Sequence, residues 1–408
     1  MRRGLRAFVT IALCVSATAL QAQQRGAPPR RATRRASAVV QVDAATTARI
    51  TDSLRAVLAR GVADGAFPGA VAVVGNRAGL LTSFGAGRLD AADATEPTAA
   101  TIYDLASLTK IVATTTVLLQ LVDQQKVALD APVVRYLPDW KGPRTERITI
   151  RQMLTHSSGL AAWRPFYKEA ADRADARAQL MLVGPETSPG TRYLYSDMNF
   201  MLLGMVIEKV TGQSLDEAFV TVVARPLRMT DTRFRPDSAL HARIAPTEFD
   251  PWRQRQLRGE VHDENASRFE GVSGHAGLFS TGADLARVVR MWLSGGTLDG
   301  VRFASARTVA EFTRAQDTLI SKRALGWETP TGGNSAGKRL SAAAFGHTGF
   351  TGTSIWADPS RDLFVILLTN RVNPTRENRK IGGVRTALAD AVVGAVEGTS
   401  ARPSGSMK

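Results

Sequence analysis

The placement of strand-like segments at the two ends of the chain is the feature that most constrains its fold. Near the N-terminus, the runs GAVAVVG (69–75) and LLTSFGAG (80–87), joined by NRAG, predict a β-hairpin. Near the C-terminus, TSIWADP (353–359) and LFVILLTN (363–370) predict a second pair of strands. Helical patterns lie between them, so the sequence predicts an α/β lobe built from both ends of the chain and an all-α lobe from its middle.

Helical periodicity marks the segments around and between these strands. Apolar residues recur at helical spacing in residues 44–63, and the pattern turns helical again from about 107 to 122. Gly212 is expected to end an apolar helix, Thr281 to cap the start of another, and residues 384–398 to form the last helix. The expected fold class is α/β of the α+β type, with a mainly antiparallel sheet flanked by helices.

The first 22 residues have the pattern of an export signal. A basic start, MRRGLR, precedes the apolar run AFVTIALCVSATAL and small residues suited to cleavage. The apolar run is shorter than the ~20 residues of a membrane-spanning helix. Residues 1–22 are therefore expected to be removed, leaving a periplasmic or secreted protein without a transmembrane segment. A lipoprotein anchor at Cys14 is less favoured, because the bulky Leu13 stands where such signals usually have a small residue.

The rest of the chain divides into a linker, a folded region and a tail. Residues 23–42 are rich in arginine and proline and lack an apolar period, which is typical of a flexible linker. Residues 43–395 are expected to form one two-lobed domain, and residues 396–408 a disordered tail. The α/β lobe is expected at about 43–106 and 270–395, and the α lobe at about 107–269.

Composition excludes several kinds of function for the folded region. Cys14 is the single cysteine of the chain, so removal of the export signal leaves no disulfide, thiolate metal site or cysteine nucleophile. The net charge of +15 would suit a nucleic-acid partner, but three arginines lie in the export signal and five in the linker. Over half of the excess charge is thereby outside the folded region, and no nucleic-acid partner is expected.

Ser107 and Lys110 give the folded region its first chemical signal. In YDLASLTKIVATTT (103–116) they lie three residues apart, a spacing that places two side chains on one face of a helix. A lysine amine beside a serine hydroxyl can activate that hydroxyl as a nucleophile. Ser-x-x-Lys is also common by chance, so the pair needs support from elsewhere in the chain.

That support comes from a Tyr-Ser-Asp motif at 195–197 and a His-Thr-Gly motif at 347–349. Together with the pair that starts at Ser107, their order and spacing resemble the serine β-lactamase and penicillin-binding-protein clan. The nearest branch contains class C β-lactamases, β-lactamase-like esterases and soluble D,D-peptidases. MLTHSSGL, GVSGHAGLFST and LFVILLTNR resemble the same branch, so the resemblance covers nearly all of the chain after the export signal. It implies a β-lactamase/transpeptidase-like fold.

The resemblance also implies roles for individual residues. Ser107 is the implied nucleophile and Lys110 its activator, whose pKa is expected to be lowered by burial and cationic neighbours. Tyr195 is the implied proton relay, and its pKa is expected to lie below the usual ~10 because of the same cations. The backbone N–H groups of Ser107 and Phe350 are the implied oxyanion hole. The expected substrate-binding residues are Asp197, His347, Thr348, Gly349 and, as an aromatic wall, Trp163.

Two of these residues depart from the pattern of the lactamases. Asp197 stands where many members have asparagine, and a carboxylate cannot donate a hydrogen bond as an amide does. His347 stands where the lactamases have lysine. With a reference pKa of ~6.5, it is expected to make recognition of a substrate carboxylate depend on pH. The alternative is a neutral, hydrogen-bonding His347 with a nearby arginine holding the carboxylate.

The expected function is an exported serine hydrolase that acts through an acyl-enzyme on esters or D-amino-acid peptides. A β-lactamase is the first alternative, and a non-catalytic peptidoglycan- or penicillin-binding protein is the second. Expected partners are a small-molecule ester, peptide or β-lactam, with peptidoglycan as a further candidate.

No cofactor or metal is expected, since His262 and His275 lack metal-ligand spacing. Ser335 in GNSAG matches a nucleophile elbow but is interpreted as part of a surface turn.

Overall fold

The computed structural model describes residues 42–331 and 333–398, with the longer strands near both ends and helices between them. In chain order the strands are β1 (Gly69–Gly75), β2 (Leu80–Gly87), β3 (Tyr103–Asp104), β4 (Arg233–Phe234), β5 (Phe249–Asp250), β6 (Arg255–Gln256), β7 (Leu278–Ser280), β8 (Thr297–Leu298), β9 (Val301–Arg302), β10 (Phe345–Thr348), β11 (Ser354–Asp358) and β12 (Leu363–Thr369). The α-helices are α1 (Ala44–Ala63), α2 (Thr116–Asp123), α3 (Ile150–Leu154), α4 (Phe166–Glu169), α5 (Arg173–Leu180), α6 (Asp197–Thr211), α7 (Leu215–Phe219), α8 (Glu264–Arg268), α9 (Gly282–Leu293), α10 (Ala306–Thr313) and α11 (Ile381–Val396). The predicted export signal and most of the predicted linker and tail lie outside the described residues.

The main sheet has five strands, in the order β10-β11-β12-β1-β2, and all neighbours are antiparallel. Both predicted strand pairs are confirmed: β1 pairs with β2 around a turn at residues 76–79, and β11 pairs with β12. β12 also pairs with β1, with Ala70 opposite Thr369. The prediction of a sheet built from both ends of the chain is therefore confirmed.

Helices cover both faces of this sheet, which is why β1 is buried along its whole length. Ala70, Ala72 and Val74 lie in the cluster formed with α1 and α11, whereas Val71 and Val73 lie in the cluster that includes α9. Successive side chains of a strand point to opposite faces, so a strand covered on both sides needs a continuous apolar run. GAVAVVG supplies that run.

The predicted helix boundaries are confirmed at several ends. α1 covers residues 44–63, and the Asp43 side chain accepts a first-turn N–H at its start. α6 ends at Gly212, whose φ of +69° lies in the left-handed region that glycine tolerates. Thr281 caps α9 through its side chain. α11 begins at Ile381, ahead of the predicted residue 384.

The helical segment after Ser107 is irregular. It begins with a 3₁₀ turn at Ala106–Leu108 and continues as a π-helix at Lys110–Thr115 before α2. Such π turns are rare and frequently lie at functional sites. The Thr114 hydroxyl donates to the Gly274 carbonyl at 2.7 Å, which ties this irregular turn to the segment that leads into β7.

Residues 107–269 are mainly helical, with the short strands β4, β5 and β6 among the helices. β7 pairs with both β3 and β4, so it links the segment before Ser107 to the helical part of the chain. Within the described ranges, no helix combines the length and the apolar character needed to cross a membrane.

Candidate active site

Ser107 follows a residue in the left-handed backbone region. Ala106 has a φ of +47°, a conformation that costs a non-glycine residue roughly 1–2 kcal/mol. The buried Asp104 carboxylate holds this turn by accepting the Ala106 N–H at 2.8 Å and the His262 N–H at 2.6 Å. The surrounding contacts therefore enforce a strained turn immediately before Ser107.

The turn after β10 is fixed against the same segment. The hydroxyls of Thr351 and Thr353 donate to the carbonyls of Asp104 and Leu105, at 2.7 and 3.0 Å. A Cβ at Gly349 would lie 2.4 Å from the Leu105 carbonyl oxygen, so this close approach of the two backbones requires glycine. These contacts bring the two predicted oxyanion-hole segments together.

Lys110 is completely buried, and its ammonium contacts three acceptors. Nζ lies 2.9 Å from Ser107 Oγ, 2.7 Å from Asp197 Oδ1 and 3.1 Å from the His275 carbonyl oxygen. Two of these contacts are hydrogen bonds in which Nζ donates, and the third is an ion pair, so the surroundings of Nζ favour the protonated form of Lys110. The predicted proximity of Ser107 and Lys110 is thus present in the structure.

The pKa of Lys110 differs from the expectation. Burial lowers it, but the Asp197 carboxylate and the Tyr195 phenol outweigh burial, and the pKa of Lys110 is raised above its usual value. The prediction of a lowered pKa is therefore wrong. Asp197, the first residue of α6, supplies a partly buried counter-charge that the sequence pattern did not assign to Lys110.

Tyr195 lies beside this pair: its ring centre is 5.1 Å from Lys110 Nζ, and it lines the same cavity as Ser107. Burial raises the pKa of Tyr195 and Asp197 adds to the effect, although Lys110 opposes it. The predicted lowering is again wrong, because burial outweighs the nearby cation. The ring stacks on His156 at 4.4 Å, and His156 Nδ1 accepts the Ser196 N–H at 3.0 Å. His156 is therefore bound by backbone and supports the Tyr195 ring.

Asp197, Asp263 and His275 converge beside Lys110, with one ligand-type atom of each within 4.8 Å of the others. His275 Nε2 lies 3.0 Å from Asp263 Oδ1, and its Nδ1 lies 2.8 Å from Ser273 Oγ. Burial opposes ionisation of Asp263, but His275 holds the pKa of its carboxyl well below the usual value. Asp197 pairs with Lys110 and Asp263 contacts His275, so each of these carboxylates has a partner among the described residues.

His347 lies on β10 and is buried. Burial and, next, the Arg323 cation lower the pKa of His347 well below its usual value. Nδ1 lies 2.8 Å from the Thr348 carbonyl oxygen, which can only accept, so Nδ1 carries the proton and Nε2 is a free lone pair. The prediction that His347 titrates near neutrality is therefore wrong, and the alternative of a neutral His347 is favoured.

A cavity of about 530 Å³ opens beside Ser107. The predicted site residues in its lining are Ser107, Tyr195, His347, Thr348, Gly349 and Phe350. Arginines at 323, 371, 379 and 385 and a lysine at 322 also line it, against one acidic residue, Glu328. The cavity is therefore cationic, a property that no motif in the sequence indicated.

Three other residues from the sequence interpretation lie outside this lining. Asp197 contacts Lys110 instead, with 20% of its side chain exposed. Trp163 is about half exposed. The carbonyl of the preceding residue, Ala162, accepts the Asp197 N–H at 3.0 Å, so Trp163 lies on the Asp197 side of the site. Ser335 accepts a hydrogen bond from the Trp356 ring at 3.2 Å and lies in a turn, as the sequence interpretation has it.

Two residues that the sequence interpretation did not identify hold Phe350. Arg371 Nε donates to the Phe350 carbonyl at 2.7 Å, and its guanidinium lies 4.5 Å from the centre of the Phe350 ring. The His262 ring stacks on Phe350 at 5.6 Å. Neither residue belongs to a catalytic motif, although LFVILLTNR ends at Arg371.

Comparisons with known proteins complete this description. The family model described as Beta-lactamase matches residues 54–389. An Escherichia coli K12 protein with the description "Putative D-alanyl-D-alanine carboxypeptidase" is 35% identical over an alignment of 312 residues that covers 67% of this chain and 70% of that protein. A solved penicillin-binding protein homolog from Caulobacter crescentus has a TM-score of 0.69 at 20% identity, over 88% of this chain and 99% of that chain. A family VIII carboxylesterase has a TM-score of 0.67 at 23% identity, over 88% and 99%.

Proposed function

This chain belongs to the beta-lactamase family and is a serine hydrolase with that fold, and we propose that it acts through an acyl-enzyme on Ser107. The proposed substrates are esters or D-amino-acid peptides. The observation that carries the proposal is the 2.9 Å contact between Lys110 Nζ and Ser107 Oγ at the edge of a cavity of substrate size. A hydroxyl with an adjacent base is the arrangement that nucleophilic catalysis requires.

In the acylation step, Ser107 Oγ bonds to the substrate carbonyl carbon and its proton passes to the amine form of Lys110. The Tyr195 hydroxyl, whose ring centre lies 5.1 Å from Lys110 Nζ, then gives its proton to the departing oxygen or nitrogen as the old bond breaks, and it takes the proton that Lys110 received. In the second step, water attacks the acyl carbon and gives up a proton to the same base. The bond between the acyl carbon and Ser107 Oγ then breaks, Oγ takes that proton back from the base, and the acid is released with Ser107 restored.

The negative charge on the carbonyl oxygen needs donors during both steps. The backbone N–H groups of Ser107 and Phe350 are proposed as those donors, since the two segments lie together beside the cavity. Arg371 and His262 hold Phe350 from two sides and so keep its peptide in place. Removal of one such donor typically costs 10²–10³ in kcat.

The names of the similar proteins support the proposed substrate classes. The Escherichia coli relative carries the name of a D-alanyl-D-alanine carboxypeptidase, which supports D-amino-acid peptides. The carboxylesterase with the same fold supports esters. Export through residues 1–22 belongs to the same proposal, and N-terminal sequencing of protein recovered outside the cytoplasm tests it.

Intact-mass spectrometry after exposure to an activated ester, a penicillin or a D-Ala-D-Ala peptide tests the proposal, with product release followed in parallel. We expect an acyl adduct and turnover in the parent and neither in Ser107→Ala. Ser335→Ala is the matched control, and it should retain both. An adduct that persists in Ser107→Ala would refute the assignment. Binding without adduct or turnover for every substrate would identify a non-catalytic binding protein instead.

A further inference from the structure

Glu248, just before β5, has a buried carboxylate that the proposed reaction steps do not use, with 5% of its side chain exposed. Its Oε1 lies 2.7 Å from His262 Nε2, and its Oε2 accepts the Arg376 N–H at 2.7 Å. Arg376 Nε also donates to Oε1. Burial opposes ionisation of Glu248, but the contacts with His262 and Arg376 hold the pKa of its carboxyl below the usual value. Glu248 is therefore an ionised group with partners in two distant segments of the chain.

The first partner, His262, connects Glu248 to the Phe350 ring. An ionised carboxylate can only accept, so His262 Nε2 carries a proton and donates it to Glu248. This bond orients the imidazole, which stacks on the Phe350 ring at 5.6 Å with 28° between the planes. The His262 backbone N–H donates to Asp104, which also holds the turn before Ser107. His262 is therefore fixed through both its backbone and its ring.

The second partner, Arg376, connects Glu248 to the Phe350 peptide. Arg371 Nη1 donates to the carbonyls of Arg376 and Asn378 at 2.7 and 2.6 Å, and Arg371 Nε donates to the Phe350 carbonyl at 2.7 Å. Glu248 binds both the backbone N–H and the side chain of Arg376. It therefore holds the segment to which the Arg371 guanidinium is anchored.

These contacts close a ring that runs from Glu248 through His262, Phe350, Arg371 and Arg376 back to Glu248. The described lining of the catalytic cavity includes Phe350 and Arg371 but not Glu248, so Glu248 does not touch substrate. Buried polar groups that satisfy one another in a network rigidify the structure around them. The rigidity of this ring is therefore passed to the one member that is proposed to donate to the reacting carbonyl oxygen.

We infer that Glu248 is a positioning residue, which fixes the Phe350 peptide, and with it the second donor of the proposed oxyanion hole, through His262 and Arg376. The inference rests on the proposed function. Oxyanion donors act only when they are aimed at the place where the charge develops. A displacement of about 1 Å caused by a change far from the chemistry can cost about 10²-fold in rate. The charge develops in the transition state, so Glu248 should affect the chemical steps and not the binding of substrate.

Glu248→Gln tests the inference, because it removes the charge and keeps the size of the side chain. Arg376 retains its 2.8 Å contact with Glu264, so the variant leaves no unpaired guanidinium at this position. We expect kcat for a neutral ester to fall by about 10- to 100-fold. KM should change by less than about threefold, because acylation and deacylation both use the oxyanion hole and slow together. Circular dichroism confirms that the variant is folded under the assay conditions.

Glu264→Gln is the matched control. Among the described residues, the Glu264 carboxylate pairs with Arg376, as Glu248 does, but not with His262. Its loss should lower kcat by less than about threefold, the usual size of a partly exposed ion pair. An unchanged kcat in Glu248→Gln, or an equal fall in Glu264→Gln, would overturn the inference. If Glu248→Gln does not fold, Glu248→Asp withdraws the carboxylate by one methylene, and a kcat equal to that of the parent would have the same meaning.

Inhibition by phenylboronic acid distinguishes positioning of the oxyanion hole from a merely structural role. Ser107 Oγ bonds to boron, its proton passes to the base, and one boron hydroxyl takes the place of the charged carbonyl oxygen. We expect the inhibition constant to rise in Glu248→Gln by about the factor by which kcat/KM falls, since both report the same tetrahedral geometry. An inhibition constant equal to that of the parent would show that the oxyanion hole is intact and would overturn the inference.

Intact-mass spectrometry separates failure of this inference from failure of the proposed function. Absence of a Ser107 adduct in the parent, with both an activated ester and the boronic acid, refutes the proposed function. An adduct that forms in the parent, and equally fast in Glu248→Gln, refutes the role of Glu248 alone. Slower formation in Glu248→Gln than in Glu264→Gln supports it.

Discussion

Replacement of Asp197 by asparagine should move the alkaline activity profile of this enzyme to lower pH. The two candidate bases of the proposed mechanism, Lys110 and Tyr195, both have raised pKa values, and Asp197 contributes to both. Their basic forms are therefore scarce at neutral pH and increase as the pH rises. For the parent, we expect kcat/KM for a neutral ester to rise with pH well beyond neutrality. Asparagine removes the negative charge that favours the protonated forms of Lys110 and Tyr195, so kcat/KM should begin to rise at a lower pH.

The size of the shift follows from the contact distance. Two unit charges 2.7 Å apart in an effective dielectric of ~20 attract each other by about 6 kcal/mol. Asp197 is partly exposed, so water screens part of this attraction, and asparagine keeps a carbonyl oxygen that can still accept from Lys110. An opposite charge at such a distance usually shifts a titration by about one to three pH units. We expect the midpoint of the rising limb to fall by that amount.

The assay is kcat/KM for one neutral ester between pH 6 and 11 in the parent and in Asp197→Asn. Circular dichroism at each pH confirms that both proteins stay folded over the range compared. Asp52→Asn, which removes an exposed carboxylate on α1, is the control and should leave the pH midpoint of the rise in kcat/KM unchanged. If the pH midpoint of the rise in kcat/KM is unchanged in Asp197→Asn, or moves to higher pH, neither Lys110 nor Tyr195 is the titrating base.

Two further predictions concern β10 and the turn after it. The ratio of kcat/KM for an ester with a carboxylate on its leaving group to that for the matching neutral ester should stay constant from pH 5 to 8, because His347 is neutral and an arginine does not titrate there. A ratio that falls with rising pH would restore a protonated His347 as the anchor of the carboxylate. Gly349→Ala should lower kcat by about 100-fold or more, since its Cβ would lie 2.4 Å from the Leu105 carbonyl and displace the proposed oxyanion hole. Gly382→Ala, where a Cβ meets nothing within 4 Å, is its control, and equal activity of Gly349→Ala and the parent would exclude Phe350 as a donor.

Local patterns were sufficient to predict the main architecture. The apolar run of β1 predicted a strand, and the helical spacing of apolar residues in α1 predicted a helix; in the structure this helix packs on one face of the sheet. The Ser107–Lys110 contact was also predictable, because it depends on a spacing of three residues along one helical segment. These features rest on short stretches of chain.

The electrostatics of the site depend on residues far apart in sequence and could not be read in the same way. Lys110 meets Asp197 only after α6 has packed against the π-helical turn, and the resulting ion pair reverses the expected shift in the pKa of Lys110. Burial decides the state of His347, and burial is a property of the assembled strand and its neighbours. Glu248 belongs to no motif, and it meets His262 and Arg376 only in the folded chain.

The pairing of β1 with β12 sets the order in which this protein can fold during synthesis. The Thr369 hydroxyl donates to the Gly69 carbonyl, and these two residues are 300 positions apart in the chain. Until β12 leaves the ribosome, the β1 edge of the β1–β2 hairpin that β12 will pair is open, and the hairpin has an apolar face that α11 will later cover. Closing so long a loop is slow, and exposed strand edges associate readily with other chains. Nascent chains that end before β12 should therefore bind holding chaperones or aggregate, and Ser107 can reach its final environment only after residue 369 has been synthesised.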